Sequence, residues 1–476
     1  MPESSCDAIV VGSGPNGLAA AVRLARQGLH VKVIEAKETI GGGTRTQELT
    51  LPGFRHDVCS AIHPMALASP FFKNLPLEEH GLEWIYPEYP LAHPLDNEPA
   101  VVLQTSLDET AAELEPDAAA YRSLYETIVI NFEQLAPQLL APFSPFPATP
   151  LLMARFGWNA LKSAQSLAFG NFSSRRARAL FAGLAAHSVL PMEKRVSAAI
   201  ALVLGAAGHR HGWPIPKGGS HAITTALAGY LESLGGEIVT GEPVHSLEQV
   251  ESARTVLFDL TPQQVLDIAG SSLPSGYRKK LKRYTYGPGV FKLDLALDGP
   301  IPWYDERCLN AGTVHLGGTF EDIADSERAM FNGRHSSRPY VLVAQQSLFD
   351  DTRAPDDKHT AWAYCHVPHG SEKDMTEAIE SQIERFAPGF RDIVLERHRM
   401  NTSDMQRYNP NYIGGDINGG LQDLSQLFTR PAGLFNPYHI PGTSWYICSS
   451  STPPGGGVHG MCGYHAAGAA LKREFS

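Results

Sequence analysis

Asp7-Ala8-Ile9-Val10-Val11-Gly12-Ser13-Gly14-Pro15-Asn16-Gly17 is the stretch on which the fold turns. Residues 7–11 are a short apolar run that reads as a buried strand. Gly12 to Gly17 is a turn. The spacing predicts a helix over 15–27, with Pro15 in its first turn, where a missing N–H costs little, and Gly28 as its stop. Residues 30–35 then give a second strand that ends in Glu35, with Ala36 next in the chain. This is a βαβ unit of about 30 residues. The Gly-x-Gly-x-x-Gly spacing has a physical logic. Gly12 permits the tight turn, Gly14 lets the backbone approach a pyrophosphate, and Gly17 lets helix and strand pack closely. Ser13, Pro15 and Asn16 lie at the start of the helix, whose N-terminus faces phosphate charge. Glu35 lies 18 residues after Gly17, where a carboxylate can accept from a ribose diol.

Outward from this unit, the chain alternates between sheet-like and helical stretches. Residues 108–132 and 175–206 are helical in composition. Between them, 136–158 is rich in Pro and aromatics, including Phe143, Phe146 and Trp158. A Gly/Pro-rich return at 212–220 precedes a helix over 220–234 and strands at 237–240 and 255–260. Residues 284–298 and 339–347 alternate enough for sheet, and 373–386 reads as an amphipathic helix. A strand at 444–449, a Gly-rich loop at 453–457 and a small-residue helix over 461–474 follow.

Two further motifs carry a family resemblance. Ile40-Gly41-Gly42-Gly43-Thr44-Arg45-Thr46 resembles the N-terminal flavin signature of the amine oxidase and phytoene desaturase superfamily. Gly41, Gly42 and Thr46 match; Gly43 holds the usual Arg position, and Arg45 follows two residues later. Tyr446 to Ala467, with Pro453-Pro454-Gly455-Gly456-Gly457-Val458-His459-Gly460-Met461 at its centre, resembles the C-terminal signature of phytoene dehydrogenase-related proteins. Ser449 and Ser450 stand where many relatives carry an acidic residue. His56 to Pro64, Pro216 to Val244, Gly317-Gly318 and Asn409 to Asp416 extend the likeness over essentially the whole chain, to a subgroup that includes a mammalian mitochondrial member.

The resemblance implies non-covalent FAD. It puts Gly42, Gly43, Thr44 and Arg45 at the pyrophosphate and Val244 at the adenine. It puts Gly456 beside the flavin ring, with Gly460 and Met461 directing their N–H groups at its pyrimidine end. His63, His459 and His465 fall near the flavin, as general bases or substrate orienters. Covalent attachment through Cys462 is the less favoured reading, because the context of that residue differs from that of covalent relatives.

The expected fold is α/β: a discontinuous Rossmann-type FAD domain from 1–75, 213–270 and 430–476, and a mixed-sheet-plus-helices substrate domain from 76–212 and 271–429. The implied activity is hydride transfer between flavin N5 and a CH–CH or CH–NH group of a hydrophobic, isoprenoid-like or lipid substrate. Only one dinucleotide fingerprint is present, so electrons are expected to leave to oxygen or a quinone. The alternatives are an amine or amino-acid oxidase and a non-catalytic FAD-containing binding protein.

Composition narrows the rest. The 476 residues carry a net charge of −11, which argues against a broad nucleic-acid surface. Six scattered cysteines without a Cys-x-x-Cys suit a reducing, cytoplasmic setting. No signal-peptide pattern and no long uncharged apolar run occur, which leaves weak peripheral contact, through the 136–158 segment, as the expected membrane relation. Cys365-His366-x-x-His369 and His209-x-His211 lack zinc-site spacing, so no metal is expected. No Gly-x-Ser-x-Gly elbow supports a serine hydrolase.

Overall fold

A computed structural model describes residues 6–476. Two sheets organise it. The first has five parallel strands in the order Trp445–Ile447, Thr255–Phe258, Ala8–Val11, Val31–Ile34 and Glu237–Val239. Ala8–Val11 pairs in register with Thr255–Phe258 on one side and with Val31–Ile34 on the other. Ala8–Val11 and Thr255–Phe258 are wholly buried and largely apolar, as a parallel sheet covered on both faces requires. The helix Pro15–Ala25 crosses from the first strand to the second. The helix Met461–Glu474 lies against it so closely that a Cβ on Gly463 would sit 1.7 Å from the Asn16 carbonyl oxygen.

The second sheet has seven strands in the order Val394–Met400, Gly289–Leu297, His359–Val367, Val341–Ala344, Ala311–Leu316, Tyr89–Leu95 and Glu98–Leu103. It is antiparallel except where Ala311–Leu316 meets Tyr89–Leu95. One face packs an apolar cluster that includes Leu293, Leu295, Ile379 and Phe386, beneath the helix Thr376–Phe386. The helices Ala118–Ile130, Arg175–Ala186 and Ser197–His211 contribute to the larger core, which is continuous with the helix layer of the first sheet. The five strands of the parallel sheet come from stretches 1–75, 213–270 and 430–476; the seven of the mixed sheet come from 76–212 and 271–429.

Several elements depart from the sequence reading. The stretch 108–132 is not one helical run: Leu107–Glu113 stops before Pro116, and Ala118–Ile130 starts after it. The stretch 175–206 breaks around Pro191 into Arg175–Ala186 and Ser197–His211. A proline removes a donor and restricts the residue before it, which ends a helix locally. The hairpin Tyr89–Leu95/Glu98–Leu103 is hidden in the sequence by Pro90, Pro94 and Pro99. Its register shifts between His93 and Leu95, where Pro94 sits, so a bulge absorbs the missing ladder donor. The 136–158 segment holds the end of one helix, Phe132–Leu139, and most of a second, Pro150–Ala160, with irregular chain between. Among the described residues, no helix is long and apolar enough to cross a membrane.

Candidate functional site

A cavity of about 620 Å³ runs from the carboxyl ends of the parallel strands to the inner face of the mixed sheet. Its first end is built by the Gly-rich turn. Gly12 holds φ +104°, a left-handed conformation that favours glycine. A Cβ on Gly17 would lie 2.1 Å from the Gly12 carbonyl oxygen, so turn and helix meet with no room for a side chain. Glu35, at the end of Val31–Ile34, accepts from the Ser13 hydroxyl at 2.6 Å, the Ser13 amide at 3.0 Å and the Lys37 amide at 2.9 Å. The Arg45 guanidinium pairs with Glu35 at 3.1 Å and also donates to the Thr39 and Gly42 carbonyls. Arg45 is thus anchored at the carboxylate expected for the ribose, with the Tyr408 ring beside it at 5.6 Å.

Asp259 is the unexpected group at this end. It follows directly on Thr255–Phe258, and its carboxyl oxygen accepts from the Gly17 amide at 3.0 Å. It occupies one of the donors that the start of a helix leaves free. Burial raises its pKa to about 8, with the Glu35 charge adding to the effect and the Gly17 amide opposing it. At neutral pH it is therefore largely uncharged where a pyrophosphate would otherwise meet a carboxylate.

The other end is apolar and aromatic. Ile62, Met65, Ile200, Trp213, Leu342 and Trp362 line it. Trp362 and Tyr364 stand edge to face at 5.0 Å. The indole N–H of Trp362 and the hydroxyl of Thr313, on residues that line this end, are buried without a partner. His63 also lines the cavity; its Nε2 bonds the Ser220 hydroxyl at 2.8 Å, while its Nδ1 is unpartnered. Burial pushes the pKa of His63 down to about 4 and that of His187 to about 3. Both imidazoles are neutral at pH 7 and are weak bases.

The cavity brings together Gly12, Ser13, Gly14, Pro15, Asn16, Glu35, Ala36, Gly42, Gly43, Thr44, Arg45, His63, Val244 and Gly456. Gly17 stands behind the wall as a packing residue. Gly460, Met461, His459 and His465 are not part of the lining. The buried His459 ring accepts from the Met461 amide at 3.0 Å, and His465 bonds the Leu140 carbonyl at 3.0 Å. Both are held near pKa 4, mainly by burial, and both serve as internal fasteners of the C-terminal helix. Cys462 is buried, with its pKa raised to about 11 chiefly by burial, so it is a poor nucleophile for covalent attachment. Among the described residues, no cluster of His, Cys, Asp or Glu is arranged to hold a metal ion.

The sequence reading missed Asp259, Trp362, Tyr364, Tyr408 and Tyr412. Only the register of 255–260 against 8–11 could have revealed Asp259, since a residue one step past the strand end must face the turn. The aromatics gave no local signal.

Comparison with known proteins agrees with this geometry. The family described as NAD(P)-binding Rossmann-like domain matches residues 10–75. Pyridine nucleotide-disulfide oxidoreductase domain-containing protein 2 of Rattus norvegicus is 26% identical, over 97% of this chain and 92% of its own length. A limonene dehydrogenase polypeptide of Castellaniella defragrans is 31% identical over 29% of this chain and 25% of its own. Among solved structures, cyclohexylamine oxidase of Brevibacterium oxydans aligns with TM-score 0.61 and 17% identity, covering 99% of this chain and 100% of that one. The chain is an α/β protein with a Rossmann-like dinucleotide domain, and it shares its overall fold with that oxidase.

Proposed function

We propose that the chain is an FAD-dependent oxidoreductase of the phytoene dehydrogenase-related type, acting on an uncharged, largely apolar substrate. One observation carries the substrate class. Every charged residue that lines the cavity (Glu35, Lys37, Arg45, Glu242, Asp259 and Asp267) comes from the Rossmann stretches, and none from the aromatic end. An amino-acid oxidase would need a cation there to hold a carboxylate. The cavity takes in the Gly-rich turn, Glu35 and Val244, and a Cβ on Gly14 would meet Asp259 at 2.8 Å, so the cradle requires glycine. The flavin signatures in the sequence and the 31% identity to a limonene dehydrogenase polypeptide support the reading.

Bound FAD would supply the hydride acceptor. The chain's own residues would do the rest. Gly14 and the start of the helix hold the phosphates, Glu35 holds the ribose, and the aromatic end excludes water and orients a chain or ring by contact. Each buried CH₂ is worth ~0.8 kcal/mol, so an apolar tail can supply most of the binding energy without a charged anchor. With the His63 pKa near 4, proton abstraction is not its strength. Oxygen or a quinone is the proposed electron acceptor.

The test is anaerobic bleaching. Isoprenoid alkenes and long-chain acyl compounds are expected to bleach the flavin absorbance, whereas L-amino acids leave it unchanged. Bleaching by cyclohexylamine or putrescine, with none by the apolar panel, would instead establish an amine oxidase that uses the Trp362–Tyr364 pair as its cage.

The same reading includes weak membrane contact. Phe146, Leu151 and Trp158 are 89%, 88% and 75% exposed. Leu151, Arg155 and Trp158 share one face of Pro150–Ala160, and Lys162 stands over the Trp158 ring at 5.7 Å. Apolar and aromatic side chains beside cations suit a helix lying in a bilayer interface. In liposome flotation, the wild type is expected to co-float with phosphatidylcholine vesicles. A Phe146→Ser, Leu151→Ser, Trp158→Ser variant is expected to stay at the bottom. Failure of the wild type to float removes this part of the proposal.

A further inference from the structure

Arg430 is fully buried, and among the described residues no carboxylate lies within ion-pair distance of it. Its partners are neutral oxygens. One terminal nitrogen donates to the Ser450 carbonyl at 2.8 Å, the Tyr284 hydroxyl at 3.2 Å and the Gly419 carbonyl at 3.4 Å. Nε donates to the Ser451 carbonyl at 3.4 Å. The other terminal nitrogen, Nη1, has no acceptor. It lies 3.0 Å from where a Cβ of Gly455 would stand, so it presses on the back of the glycine loop. The next three residues, Gly456, Gly457 and Val458, face the cavity.

A guanidinium stays charged in a protein, and burying it without a counter-ion is costly. The cost has to be offset by something the charge does. Three of the surrounding ionisable groups bring no opposing charge at neutral pH. Asp259, His459 and Cys462 are held near pKa 8, 4 and 11 by burial, and are largely uncharged. Among the described residues, Asp416 is the one carboxyl group coupled to this charge: burial raises its pKa, while the Gly287 and Asn418 amides at 2.7 and 2.8 Å and the Arg430 charge itself lower it, and it makes no ion pair with the guanidinium. A positive charge in this low-dielectric wall therefore acts on whatever stands against Gly456–Val458.

The geometry points to Arg430 as an electrostatic positioning residue that favours negative charge on the redox group lying against Gly456–Val458. For bound FAD, this means a raised two-electron potential and a reduced ring that stays anionic. The inference rests on the FAD reading above, and acid release of FAD from the purified wild-type protein tests that reading separately.

Midpoint potentials of the FAD-loaded protein, measured against reference dyes from pH 6 to 9, test the inference itself. An anionic reduced ring takes up one proton per two electrons. The expected wild-type slope is therefore ~30 mV per tenfold change in proton activity throughout that range. A slope of twice this value at pH 6 to 7 would overturn the inference. Arg430→Met removes the charge and is expected to shift the equilibrium with the dye at least tenfold against reduction, ~30 mV. Arg430→Lys keeps the charge while losing the fork of carbonyl bonds, and is expected to stay within threefold of wild type. An equal shift in both variants would assign Arg430 to loop packing alone, and no shift in the Met variant would also sink the idea. If the Met variant does not load FAD, the wild-type slope decides.

Discussion

Gly17→Ala is expected to yield a protein that does not retain FAD and unfolds well below the wild-type melting temperature. The added methyl would stand 2.1 Å from the Gly12 carbonyl and 3.1 Å from the Asp259 carboxyl oxygen. Both are fixed, one by backbone and the other by the Gly17 amide itself. The helix Pro15–Ala25 must therefore back away from the strand ends, which disturbs its seat against Met461–Glu474. Overpacking of this kind costs about 3 kcal/mol, at the upper end of the range for well-packed sites. Gly28→Ala is the control. Gly28, unlike Gly17, has a positive φ, +78°, but nothing lies within 4 Å of its Cβ position. It should lose only about 1 kcal/mol, from backbone strain, and load FAD normally. Thermal melts and acid-released FAD read both variants; full FAD loading by Gly17→Ala would show that the turn is not the cradle.

The second large effect concerns pH. Asp259 has a native pKa of about 8 against an ordinary 3.8. The folded protein keeps its proton where the unfolded chain has lost it. The stabilising contribution is complete below pH ~4 and is lost as pH rises to about 8. Integrated, the difference approaches ~6 kcal/mol. Asp259→Asn keeps an acceptor for the Gly17 amide and removes the titration. The cofactor-free variant is expected to gain stability over the wild type at pH 9 and to show no such gain at pH 4. ADP, used as a probe of the nucleotide end, is expected to bind the wild type more weakly above pH 8 and the variant evenly across the range. Calorimetry that finds the same pH profile for both proteins would show that Asp259 does not carry the effect.

The parts of the molecule that announced themselves in the sequence are those whose constraints are local. Gly12, through its positive φ, and Gly17, through the Gly12 carbonyl, must be glycine for reasons written within six residues, and Glu35 follows from the length of one helix. Buried parallel strands read as apolar runs because both their faces are covered. What stayed hidden depends on distant partners. Asp259 becomes a cap for the first helix only through a pairing 242 residues long. Arg45 looked free to meet a phosphate, yet folding gives it Glu35. His459 and His465 lie in a segment that resembles a flavin site, but their rings turn to the Met461 amide and the Leu140 carbonyl. The prolines of Tyr89–Leu95 masked a strand that a bulge makes tolerable. In each case tertiary context, not propensity, decided the outcome.

The parallel sheet also sets a timetable for synthesis. Its first two strands leave the ribosome early, but Ala8–Val11 must wait for Thr255–Phe258, and that strand for Trp445–Ile447. The Arg23 side chain closes on the Tyr464 carbonyl across 441 residues. At ~5–20 residues per second, the half-built nucleotide cradle stays open for tens of seconds. The nascent chain therefore carries exposed strand edges and cannot grip a dinucleotide until nearly all of it has emerged. On the FAD reading proposed above, cofactor capture is a late, post-translational event, and chains made faster than FAD is supplied should accumulate as aggregation-prone apoprotein.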